Sequence, residues 1–274
     1  MVTGATRGIG RAIAVAFARA GFDVVIPGRT VHEGEGRVPP RIRQAENTEL
    51  QVAGSLESTA AEITAAGTEP LAIPMDLIDQ GSVVAAAAQA LRTFGRVDVL
   101  VNNAIAHLPG SHDALAALDT ATVDAAMRAN FTHQLLLVQR VLPSMVERGS
   151  GVIVNVYSGS ATTDPPSPPD AGGWGLAYSA SKAAFGRIAG AINAEYRGRG
   201  VRAFNLDPGF VVTEAATARG GTAAIAEHGF DTTSPQTAAA AAVYLASSRD
   251  VDRLLGKVIW APRLLADRDI AYRP

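Results

Sequence analysis

The 274-residue sequence contains no cysteine. That one absence excludes disulfides, thiolate-ligated zinc, iron–sulfur clusters and a cysteine nucleophile. Lysine is nearly missing too: among 24 basic residues only Lys182 and Lys257 are lysines, the rest being arginines. Neither sign of charge dominates, with 24 basic against 26 acidic groups and a formal net charge of −2. This argues against a nucleic-acid or anionic-membrane partner, either of which asks for a basic face. No apolar run approaches the roughly 20 residues that span a bilayer. The start, Met1-Val2-Thr3-Gly4, has neither the basic nor the apolar region of a signal peptide. A cytoplasmic globular protein is expected, with no metal centre, and a 47% hydrophobic content is ample for a core.

What is present is an alternation of short apolar runs with helical patterns. Strands are expected at Asp23–Pro27, Leu71–Asp76, Val97–Asn102, Gly151–Tyr157, Val201–Leu206 and Lys257–Trp260, after a very short first strand at Val2-Thr3. Helices are expected after Gly4, where Ile9, Ile13, Ala16, Phe17 and Ala20 share a face, and at Leu56–Ala66, Ser82–Phe94 (capped by Ser82), Thr122–Met145 (bent near Pro143), Ala177–Tyr196 and Pro235–Ala246. Strands apolar throughout and separated by helices indicate a parallel sheet covered on both faces. The expectation is an α/β protein, a single Rossmann-like domain over residues 1–274 with a doubly wound sheet of about seven parallel strands. Two segments break the rhythm: Val31–Ser55, without periodicity, and Thr162–Gly175, whose Pro and Gly content makes it loop. Only three residues precede Gly4, so either the chain begins upstream or neighbouring strands compensate for a short central one.

Two motifs carry chemistry. Thr3-Gly4-Ala5-Thr6-Arg7-Gly8-Ile9-Gly10 lies between a strand and an amphipathic helix, where glycines let the backbone approach a pyrophosphate at the helix N-terminus. Tyr178-Ser179-Ala180-Ser181-Lys182 sets a phenol and an ammonium on one helix face. A cation beside a phenol favours phenolate, as general acid–base work near neutral pH needs.

The glycine spacing T-G-x-x-x-G-x-G and the Y-x-x-x-K pair resemble the short-chain dehydrogenase/reductase family. The resemblance implies a catalytic serine just past the Gly151–Tyr157 strand. Ser158 stands there, with Ser160 and Ser167 nearby and a gap to Tyr178 longer than the family's. It also implies that Asn130 bends the long helix and supports a proton relay, and that Asp76-Leu77 meets the adenine. Asn102-Asn103-Ala104-Ile105 resembles the family's N-N-A-G, with Ile105 replacing the glycine, so that Asn102 and Ala104 are expected at the cofactor. Asn205–Thr213 resembles the family's stretch ending P-G-x-x-x-T, which implies that Pro208 and Gly209 shape a turn at the nicotinamide and that Val211 and Thr213 meet its carboxamide. With Gly4, Thr6, Arg7, Gly8, Ile9, Gly10, Tyr178 and Lys182 these complete the implied cofactor site.

An NAD site wants a carboxylate at the end of the second strand. That strand here ends Pro27-Gly28-Arg29-Thr30. Arg29, with Arg7, suits a 2′-phosphate, so NADP(H) is preferred and NAD(H) remains possible if Glu33 or Glu35 folds back. The resemblance implies an oxidoreductase that interconverts a small-molecule carbonyl and alcohol by hydride transfer, with Tyr178 as general acid/base, Ser158 orienting the oxygen and Lys182 holding the ribose. A homo-oligomer, dimer or tetramer, is implied through Thr122–Met145 and Ala177–Tyr196. The segment Glu214–Ser234, with Ile225, His228 and Phe230, is expected to cover the substrate. Trp174 reads equally as pocket wall or loop anchor, and His107, His112 and His133 as ordinary histidines. A catalytically silent NADP-binding sensor or scaffold is the alternative.

Overall fold

In a computed structural model, which describes residues 1–43, 49–219 and 231–270, the apolar runs form β1 (Val25–Gly28), β4 (Leu71–Pro74), β5 (Val99–Asn102), β6 (Gly151–Val156), β7 (Val201–Asp207) and β10 (Val258–Trp260). β4 pairs with β1, and β5, β6, β7 and β10 follow in that order, all parallel. The N-terminal residues join the two groups. Val2 and Gly4 donate to the carbonyls of Val25 and Pro27, while Thr3 donates to Val101 and Val101 to Met1. Six strands and this segment make seven parallel strands, as expected.

Residues of β1, β5 and β6 are buried throughout, because helices cover both faces. Alternation along each strand sends side chains to opposite sides. Val101, Val154, Phe204 and Leu206 pack with Ile13 and Phe17 of α1 (Gly8–Arg19) and Leu245 of α8 (Pro235–Ser247). On the other face Leu100 and Ile153 meet Val83 of α3 (Gln80–Phe94), Leu137 and Val141 of α5 (His133–Arg148) and Phe185 and Ile188 of α6 (Leu176–Tyr196).

Several local expectations shift. Helix α2 (Leu56–Ala65) is held at its start by Ser55, whose side chain accepts from the Ser58 amide. Helix α3 starts earlier than expected, capped by Asp79 accepting from Gly81. Ser82 instead accepts from the Asp76 amide. The long helix divides into α4 (Thr120–Met127), a π-helical turn Arg128–Thr132 and α5. The irregularity therefore falls at Asn130 rather than at Pro143, which lies inside α5. An extra residue in a helical turn frees side chains to turn inward, and Asn130 is 3% exposed. In 31–55, β2 (Arg37–Val38) and β3 (Leu50–Gln51) form a small antiparallel pair. Residues 162–175 carry only a 3₁₀ turn, Pro169–Ala171. Among the described residues after Thr213 are α7 (Glu214–Ala218) and β9 (Thr232–Thr233), the latter paired with β8 (Phe210–Val211). Ile225, His228 and Phe230 lie outside the described residues.

Three asparagines in register cross the sheet. Asn102 donates to Asn155 at 3.1 Å, Asn155 to Asn205 at 3.2 Å, and Asn205 to the Gly186 carbonyl of α6 at 2.8 Å. Such a buried polar row is stable only while each member has its partner. Replacing Asn155 with leucine strands Asn102 Nδ2 and Asn205 Oδ1. At about 1–3 kcal/mol per buried group left unpaired, Asn155→Leu is expected to lose about 2–6 kcal/mol in urea unfolding. A loss below about 1 kcal/mol would show that the row is not a structural element.

Candidate active site

Because the strands are parallel, their C-terminal ends and the loops that leave them share one edge. A cavity of about 940 Å³ lies there. The glycine turn forms one wall: Gly4, Thr6, Arg7, Gly8, Ile9 and Gly10 all line it. Gly4 and Gly8 have φ of +66° and +53°, the left-handed region that glycine alone enters without strain. A Cβ on Gly10 would stand 2.3 Å from the Gly4 carbonyl oxygen and 2.4 Å from Asn103 Nδ2, so only glycine closes this turn. No side chain caps α1. Its first amides therefore lie at the cavity edge without a side-chain acceptor, a fit for the diphosphate of a dinucleotide.

The remaining expected residues can now be placed. Arg29, Asp76, Leu77, Ala104, Asn130, Ser158, Tyr178, Lys182, Pro208, Gly209, Val211 and Thr213 line the same cavity. Asn102 does not. It points into the sheet, fully buried on Asn155, because successive strand residues face opposite ways. Its neighbour Asn103 lines the cavity and donates through Nδ2 to the carbonyls of Thr3 and Gly4, bracing the glycine turn.

Asn130 is fixed by accepting from the Ala106 amide at 2.8 Å and donating to Ser181 at 3.3 Å. Lys182 Nζ donates to the Val156 carbonyl at 2.7 Å. Burial lowers the Lys182 ammonium to about 8, against an opposing pull from Asp207. Burial raises the Tyr178 phenol above its ordinary value. Hydrogen bonding to Ser158 opposes that rise, Asp207 adds to it, and Ser160 and Arg41 oppose it. The phenol is thus shifted in the direction opposite to the acidification expected from the cation, and Lys182 is engaged by a backbone carbonyl. Ser158 and Ser160 are hydrogen-bonded to each other at 2.9 Å.

Arg7 does more than face the cavity. It donates to the carbonyls of Ala53 at 2.8 Å and Gly54 at 2.7 Å and to Thr30 Oγ1 at 3.0 Å, fastening residues 53–54 over the glycine turn. Arg29 donates to the Arg37 carbonyl. Glu33 accepts from the Gly54 amide and Glu35 from the His32 amide, and neither lines the cavity.

Residues given no site role from the sequence also line the cavity, and Trp174 takes one of the two places expected for it. His107 and His112 line the cavity and are both lowered to about 3. Burial is the main cause; arginines add to it, led by Arg219 for His107 and by Arg41 for His112. The His112 ring lies 5.7 Å from that of Tyr178. His133 is a core residue, bonded to the Leu77 carbonyl. Trp174 is a cavity wall. Arg41 and Arg219 also reach the cavity, from segments whose lack of periodicity gave no signal. No group of three or more metal-ligating side chains is found among the described residues, and among them no helix is long and apolar enough to cross a membrane.

Comparisons with known proteins give the family. The short chain dehydrogenase family model matches residues 45–223. The mouse dehydrogenase/reductase SDR family member 7B is 32% identical over 78% of this chain, a stretch that spans 57% of the mouse protein. D-threitol dehydrogenase of Mycolicibacterium smegmatis is 32% identical over 78% of this chain and 70% of its own length. A metagenomic short-chain oxidoreductase solved in complex with NADP superposes with a TM-score of 0.70 at 26% identity, covering 94% of this chain and 95% of that one. The chain spans less than two thirds of the length of the mouse relative, and it belongs to the short-chain dehydrogenase family.

Proposed function

We propose that this protein is an NADP(H)-dependent oxidoreductase that reduces a small-molecule carbonyl to an alcohol, or runs the reverse, at the Tyr178 end of the cavity. The observation that carries the reading is the convergence of Tyr178, Lys182, Ser158 and Asn130 on one cavity with the uncapped start of α1. The dinucleotide, when bound, supplies or accepts the hydride. The glycine turn and the α1 amides would hold its diphosphate, and Arg29 its 2′-phosphate.

The chain's own residues supply the proton and the geometry. The raised Tyr178 phenol stays protonated at neutral pH, the form that gives a proton to a carbonyl oxygen taking on charge. Ser158, held against Ser160, donates to the same oxygen and orients it. Lys182 keeps its charge below about pH 8, and that charge favours the phenolate that remains once the proton has passed to the carbonyl oxygen. Asn130, pinned between the Ala106 amide and Ser181, keeps the helix open beside that path. Absence of a carboxylate at the end of β1, with Glu33 and Glu35 turned to backbone amides, supports NADP(H) over NAD(H). The sensor reading is disfavoured by the full set of proton-handling groups on one cavity.

Tyr178→Phe keeps the ring and removes the proton. It is expected to lower kcat by about 10²–10⁴-fold with dinucleotide affinity retained, in an assay that follows nicotinamide absorbance with a panel of ketones. Equal rates would reject the role. Arg29→Ala should weaken NADPH about tenfold while leaving NADH within about threefold; a parallel loss for both would place Arg29 elsewhere. Lys182 loses its proton as pH rises through about 8, so kcat/KM for reduction is expected to fall above that pH. A profile flat to pH 10 would contradict a working ammonium.

A further inference from the structure

We propose that residues 37–43 form a strap across the dinucleotide cleft, and that Arg43 and Asp113 are positioning residues that latch it and so set how fast the dinucleotide leaves. This rests on the reading that the cavity takes a dinucleotide. The strap leaves the bank formed by the end of β1, where Arg29 donates to the Arg37 carbonyl, and returns there at Ala53 and Gly54, both gripped by Arg7. Between these points it reaches the opposite bank, the loop that follows β5. The Gly110 amide donates to the Pro40 carbonyl at 3.2 Å and the His112 amide to the Arg41 carbonyl at 2.9 Å. From the strap's inner side Val38, Arg41 and Ile42 line the cavity. A third tie runs from Arg219, beyond α7, to the Pro39 carbonyl at 2.7 Å, and Val38 packs with Val52 and Ala215 in a small apolar cluster.

The latch is concentrated in one side chain. The Arg43 amide donates to Asp113 Oδ1 at 2.8 Å, and its guanidinium donates to Asp113 Oδ2 at 3.3 Å, to the Pro109 carbonyl at 3.1 Å and to Thr122 Oγ1 at 2.6 Å. Asp113 is 6% exposed, and Thr122 at the start of α4 is buried. An ordinary surface ion pair contributes little. This pair differs, because opening it leaves a nearly buried carboxylate without its cation. The guanidinium fork meets three acceptors at once, a geometry that a lysine cannot reproduce. Gly110, with φ of +73°, lets the loop lie against it: a Cβ there would stand 2.7 Å from Arg43 Cζ. The strap thus ties the two banks together over the glycine turn, and a dinucleotide held beneath it leaves only when the latch opens, an event on the timescale of loop motion that limits turnover in many enzymes.

The test is stopped-flow displacement of NADPH, followed by nicotinamide fluorescence, from wild-type protein, Arg43→Ala, Asp113→Asn and Arg43→Lys, with thermal melting of each. NADPH is expected to leave Arg43→Ala and Asp113→Asn at least about tenfold faster than wild type, with Arg43→Lys in between and melting temperatures within a few degrees. Unchanged dissociation in both variants overturns the strap, and so does an acceleration in Arg43→Ala that Asp113→Asn does not share. If Arg43→Ala melts early, Asp113→Asn and Arg43→Lys, which keep part of the latch's polar contacts, decide the matter by the same criterion. Failure of the wild-type protein to bind either dinucleotide instead rejects the functional reading beneath the proposal.

Discussion

A cation taken out of water is the constraint around which this site is arranged. Lys182 is 5% exposed, and its ammonium meets the Val156 carbonyl at the last residue of β6. Burying a charge is costly unless hydrogen bonds compensate it. The cost is visible in an ammonium lowered to about 8, and the bond to Val156 fixes helix α6 to the end of the strand that precedes Ser158. Tyr178, four residues earlier on that helix, is thereby set beside the hydroxyls of Ser158 and Ser160. In a chain that uses arginine almost everywhere else, an arginine at this position would keep its charge at any pH. Lysine is the basic residue whose protonation burial can tune.

The parallel sheet gives this arrangement its surroundings. Strand ends at Asn102, Val156 and Asp207 stand next to one another through the pairing of β5, β6 and β7, and the row of Asn102, Asn155 and Asn205 ties those strands to α6 through Gly186. The glycine turn is then pressed against the loop after β5 so closely that no side chain fits at Gly10. Packing of the scaffold and shaping of the cavity are therefore the same set of contacts, extended outward by the inserted residues that Arg7 and Arg43 fasten.

Much of this was legible in the sequence, and the exceptions have physical causes. Strand and helix positions followed from apolar periodicity, because buried parallel strands and amphipathic helices leave strong signals. Glycines at 4, 8 and 10 and the Tyr178–Lys182 pair were legible because their chemistry fixes both residue type and spacing. Asn102 was misassigned because two adjacent asparagines end a strand, and sequence does not say which one faces the cavity; the register with Asn155 decides it. Asp79 rather than Ser82 caps α3, since both residue types cap and only the chain's path distinguishes them. His107 and His112 were read as ordinary histidines, and Arg41 and Arg43 were not singled out, because long-range contacts between an aperiodic insert and a loop about 70 residues away leave no local pattern.

The central claim is that Lys182 is a buried ammonium that loses its proton far more readily than an ordinary lysine. With only two lysines in the chain, protein labelled with ¹⁵N-lysine gives two side-chain resonances, and a Lys182→Met sample assigns them. The account predicts that the Lys182 resonance titrates at about 8. Titration of that resonance near the ordinary lysine value of about 10.4 would contradict it, and with it the description of the site as one shaped by burial.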